Sequence, residues 1–111
     1  MADVPTLGEF EHLVLLAILR LGDEAYGLTI RNEIQERTGR EPAPGALYTT
    51  LDRLEDKGLL TSTMGDPTPQ RGGRAKRYVK VSATGMKALN EARRVYLRMW
   101  DGLAFPEAAR G

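Results

Sequence analysis

The sequence predicts a mainly helical chain with one small β-hairpin, in the order helix, helix, helix, hairpin, helix. Three observations carry this prediction. Apolar residues recur at helical spacing in four separate stretches. Two short strand-like runs, the second alternating, flank ten residues, 65–74, that hold two prolines and three glycines. The 111 residues contain no cysteine, and the longest apolar run, residues 13–19, is far shorter than the roughly 20 residues needed to span a bilayer. One domain with its own core is expected, free of disulfides and thiolate metal sites, without a membrane segment. Residues 1–5 lack the basic region of a signal peptide, so a cytoplasmic location is expected.

Thr6 followed by Glu9 forms a capping box that starts a first helix at Leu7, running to about Leu21. Its middle, LVLLAIL, is apolar nearly all round, so it is either central or covered on its far side by a partner chain. A second helix is expected from Tyr26 to Thr38, with Tyr26, Ile30 and Ile34 on one stripe and Gly39 as its stop. Residues 40–43 connect it to a third.

The third helix starts at Pro44, whose ring presets φ and whose missing N–H needs no partner there. Leu47, Leu51 and Leu54 line one face. Gly58 ends the helix in a left-handed conformation, with Leu59 folding back on Leu54. The outward face holds Thr49, Asp52, Arg53 and Asp56, with Tyr48 at its edge. Two short helices around a tight turn, the second amphipathic, match a helix-turn-helix.

Residues 59–64 and 75–81 read as the strands of the hairpin. Ser82 then caps a last helix reaching about Gly102, striped by Met86, Leu89, Ala92, Tyr96, Met99 and Leu103 and widened by Val95 and Trp100. A stripe at this spacing reads either as plain core or, because so small a domain has limited surface to cover it, as a seam to a second copy, which is the preferred reading. With Leu13 and Leu16 of the first helix, the residues Met86, Leu89, Tyr96, Met99, Trp100 and Leu103 are the candidate dimer interface. Tyr96 and Trp100 are also candidates for a flat ligand wall.

Net charge is only +1, but its distribution is uneven. Residues 1–24 hold five acids against Arg20, and residues 71–98 hold nine bases against Glu91. Across residues 70–81, Arg71, Arg74, Lys76, Arg77 and Lys80 occur without an acid, beside Gly72 and Gly73 that permit close backbone approach. A cationic hairpin next to a helix shaped for the major groove points to double-stranded DNA. Tyr48 and Thr49 occupy the turns where such helices read bases, and Arg53 lies one turn on. Tyr48 could instead cap the core edge with its hydroxyl on a phosphate, and Arg53 could pair with Asp52 or Asp56. One histidine, His12, and no cysteine argue against a zinc site, and no nucleotide-binding or nucleophile motif is present, so no cofactor and no catalysis are expected.

AYGLTIRNEI, GALYTTLDRLEDKGLL, GGRAKRYVKV and SATG together resemble the PadR-type winged-helix transcriptional regulators over roughly residues 7–102. The resemblance implies a winged-helix DNA-binding unit, residues 1–81, and a C-terminal dimerisation helix, residues 82–105, forming one compact body. It implies a dimeric, repressing DNA-binding protein, with Tyr48 and its helix in the groove and the Gly73/Arg74 wing on the flanking backbone. Together with the residue pattern above, the candidate DNA-binding set is Pro44, Gly45, Tyr48, Thr49, Arg53, Arg71, Gly73, Arg74, Lys76 and Arg77, and a two-fold dimer predicts a pseudo-palindromic site. Some family members bind aromatic small molecules near the dimer interface. Ala43 stands where similar sequences often carry a hydroxyl, Thr49 where proline is frequent, and Val79 where a second aromatic is frequent. The alternative reading is a winged-helix module that binds protein rather than DNA.

Overall fold

The computed structural model describes residues 5–65 and 76–104. Its elements are α1 (Glu9–Leu21), a 3-10 turn (Gly22–Glu24), α2 (Gly27–Thr38), α3 (Pro44–Asp56), β1 (Leu60–Met64), β2 (Arg77–Val81) and α4 (Ala83–Trp100). The predicted order holds throughout. Arg71, Gly73 and Arg74, and the tip of the hairpin with them, lie outside the described residues.

α1 begins at Glu9, two residues later than expected. The Thr6/Glu9 capping box does not form. Gly8 is the N-cap instead, and its N–H donates to the Glu11 Oε1 at 2.9 Å. α1 is nonetheless the central element, touching α2, α3, α4 and β2. Val14, Leu15, Ala17 and Ile18 are buried in it. They meet Ile30 and Ile34 of α2, the leucines of α3, Leu59 and Leu60, Val79, and Ala88 and Leu89 of α4 in one core. Tyr26 departs from the expected α2 stripe: it is the N-cap of α2, half buried, and its N–H donates to Thr29 Oγ1 at 3.0 Å.

α3 ends in the expected Schellman arrangement. Gly58 has φ +75°, its N–H donates to the Glu55 carbonyl, and the Leu59 N–H reaches the Leu54 carbonyl, both at 2.9 Å. β1 and β2 pair antiparallel from Leu60 opposite Val81 to Met64 opposite Arg77. The Val79 N–H also donates to the Ala25 carbonyl at 3.0 Å, so the extended residue before α2 joins the edge of the hairpin.

Ser82 ties the end of α3 to the start of α4. Its hydroxyl donates to the Gly58 carbonyl at 2.6 Å and accepts the Gly85 N–H at 3.0 Å, while its own N–H donates to the Leu59 carbonyl at 3.0 Å. The crossing is so close that a Cβ on Gly85 would run into the Leu59 carbonyl oxygen and crowd the Val81 side chain. Beyond Leu89, α4 leaves the core: Val95, Tyr96, Leu97, Met99 and Trp100 are all exposed.

Candidate nucleic-acid interface

α3 presents one buried and one bare face. Leu47, Thr50, Leu51 and Leu54 are buried, whereas Pro44, Gly45, Thr49, Asp52, Arg53 and Asp56 are exposed. Ala43 supplies no side-chain cap, as its methyl requires. The start of the helix is fixed instead by the connector: Arg31 Nε donates to the Pro42 carbonyl at 2.9 Å, and Gln35 Nε2 to Glu41 Oε2 at 3.0 Å. Tyr48 is 48% exposed, and its phenol ring lies so close over Gly27 that a Cβ there would collide with the ring and its hydroxyl. The ring therefore rests on the N-terminus of α2 with one side open to solvent.

The other end of α3 is held by a residue the sequence reading passed over. Glu11 is buried and receives Lys57 Nζ at 2.9 Å, with Arg53 Nη1 at 4.0 Å. Arg53 thus leans toward Glu11 rather than pairing with Asp52 or Asp56. Burial disfavours the Glu11 carboxylate, but the Gly8 N–H and Lys57, then Arg53, outweigh it and set its pKa below the ordinary glutamate value. A signal existed in the chain: Glu11, Val14, Leu15 and Ile18 follow i, i+3, i+4 and i+7, which puts a carboxylate on the core stripe.

The hairpin stands against α3 through Arg77. Its Nη1 donates to Asp52 Oδ1 at 2.8 Å and its Nη2 to Glu55 Oε1 at 2.5 Å, while Ser62 of β1 donates to the same Glu55 oxygen at 2.8 Å. The Ser62 hydroxyl, then Arg77, hold the Glu55 carboxyl below its ordinary pKa. On the opposite strand face, Tyr78 meets Tyr26 edge-on at 5.4 Å between centroids. Lys76 Nζ sits 4.4 Å from the Tyr26 ring centre and 3.4 Å from its hydroxyl. Lys80 is exposed, with Asp23 at 3.8 Å.

The expected interface residues divide. Leu89 is buried and Leu13 half buried, both packed into the chain's own core. Leu16, Met86, Tyr96, Met99, Trp100 and Leu103 are exposed, and Leu19 and Leu97, absent from the expected set, are exposed with them. Leu16, Leu19, Met86, Tyr96, Leu97 and Trp100 line an open cleft of about 330 Å³ between α1 and α4. His12 stacks on Tyr96 at its rim, with centroids 6.4 Å apart and planes within 9°. Among the described residues no helix is long and apolar enough to cross a membrane.

Residues 15–91 match the family described as "Transcriptional regulator PadR-like family". The transcriptional regulator Rv3488 of Mycobacterium tuberculosis (strain ATCC 25618 / H37Rv) is 40% identical over 74 residues, which are 65% of this chain and 63% of that protein, less than two thirds of its length. The crystal structure of a PadR family transcriptional regulator from Eggerthella lenta DSM 2243 superposes with a TM-score of 0.64 at 26% identity, over 85% of this chain and 81% of that one. F93 from STIV, described as a winged-helix DNA-binding protein, shares the fold with a TM-score of 0.68 at 19% identity, over 90% of this chain and all of F93. With its helix-turn-helix, hairpin wing and match over residues 15–91, the chain belongs to the PadR-like family of transcriptional regulators.

Proposed function

We propose that this protein binds double-stranded DNA sequence-specifically as a homodimer and represses transcription in the cytoplasm. In this reading residues 1–81 bind DNA and residues 82–105 supply the dimer seam of one compact body. The observation that carries the DNA reading is the bare outer face of α3, anchored at both ends and flanked by the hairpin. A helix buried on one side and uncovered on the other, with Gly45, Tyr48 and Thr49 in its first turns, fits a major groove. Repression follows from occupancy of a site that overlaps a promoter.

The dimer reading is supported by the apolar cleft and the outer turns of α4, where Met99 is 74% and Leu103 62% exposed. Clustered exposed apolar side chains of this kind support an association site there. A two-fold dimer requires a pseudo-palindromic operator with half-sites centred about 34 to 36 Å apart, one duplex turn.

Selection of bound fragments from random DNA by the purified chain tests both. Inverted half-sites at one-turn spacing, with affinity that falls steeply as salt rises, are the expected result. Salt-insensitive retention without an enriched sequence would favour the protein-binding module instead. A second reading rests on Trp100 and Tyr96 beside the cleft: a planar aromatic effector stacks there and releases DNA. Saturable quenching of the sole tryptophan by such compounds, with the dimer intact, is its test. Quenching alone is not regulation, since a ligand must favour one arrangement of the two α3 helices to shift binding.

A further inference from the structure

Arg77 belongs to the cationic stretch of the hairpin, yet its guanidinium faces α3 rather than solvent. Its side chain is only 24% exposed, whereas that of Lys80 is 74% exposed. Asp52 and Glu55 lie three residues apart and so share a face of α3. The planar fork of an arginine can reach both carboxylates at once, which a single ammonium point charge does less well. Ser62 completes the arrangement from β1, so both strands and the helix meet at Glu55.

Asp52 adjoins Arg53 and lies one turn beyond Tyr48 and Thr49, on the face proposed to enter the groove. Two uncovered carboxylates there would repel phosphates at close range. Resting on the DNA-binding reading above, we infer that Arg77 is a positioning and charge-masking residue rather than a phosphate contact: it holds the wing against α3 and cancels the negative field of Asp52 and Glu55. Among the described residues, Lys76 and Lys80 are the wing cations outside this contact with α3, on the other face of the strand.

The test uses a DNA fragment selected by the wild-type chain, with anisotropy titrations at several salt concentrations. Arg77→Met should weaken binding by about tenfold or more through the uncovered charge. The pair Asp52→Asn and Glu55→Gln should bind at least as tightly as wild type. Adding Arg77→Met to that pair should change affinity by less than about threefold, because there is nothing left to mask. A full Arg77→Met loss in the neutralised background, with a salt slope lower by about one, is the signature of a phosphate contact and overturns the inference. Arg77→Gln serves if the methionine variant does not fold: masking predicts a loss that disappears in the neutralised pair, and a phosphate contact predicts the same loss in both backgrounds. Wild-type chain that enriches no fragment overturns the DNA reading itself, and the inference with it.

Discussion

Gly85 is the residue on which the join between the hairpin and α4 turns. Its missing side chain lets the helix pass directly over the Leu59 carbonyl. Gly85→Ala should destabilise the fold by roughly 1 to 3 kcal/mol, read from urea unfolding, since backbone must move to admit the methyl. Glu11 gives a pH signature. Its folded-state pKa lies below the ordinary 4.5. The unfolded chain therefore takes up that proton first on acidification, so the stability Glu11 contributes is present above about pH 4.5 and lost as pH falls through its folded value. Thermal melting between pH 6 and pH 3 should show a steeper loss for wild type than for Glu11→Gln. Equal slopes would mean the Lys57 pair contributes nothing. At this scale the sequence is legible where a residue's backbone demand is local. Pro44, Gly58 and Ser82 each state their conformation without reference to anything distant. Glu11 and Arg77 could not be paired in advance, because their partners lie 46 and about 25 residues away in the chain, brought near only by the fold.

Elements were legible through periodicity, and they erred where periodicity and capping compete. The first helix starts at Glu9 because Glu11 reaches back to the Gly8 N–H and so claims the third position, leaving Thr6 outside. For α4 the stripe was visible but its use was not: the same spacing carries Leu89 inward and Tyr96 outward, because the helix runs off the end of the body after about two turns. α3 offers the sharpest test of element function. Leu54 is fully buried, so Leu54→Ala should cost about 2 to 5 kcal/mol and abolish DNA binding by unfolding the helix. Thr49→Ala should leave stability within about 0.5 kcal/mol of wild type and change which fragments are enriched. A Thr49 variant with unaltered sequence preference would remove that side chain from base reading.

For the whole molecule the decisive quantity is the stoichiometry. Leu97→Asp places a charge on the apolar cleft without touching the buried core, and sedimentation should then show a monomer whose DNA affinity has collapsed with the loss of the second half-site. A variant that remains dimeric would move the seam elsewhere. The Ser82 junction adds a consequence for any such pair of chains. With 18 residues at about 1.5 Å each, α4 is an arm roughly 27 Å long whose root is bolted to the last turn of α3. A swing of about 10° at that root displaces the far end by about 5 Å, so small adjustments between two paired arms are geared to small rotations of the reading helices. In the proposed dimer the half-site separation is accordingly a machine tolerance, and the three hydrogen bonds around Ser82 are the bearing that sets its play.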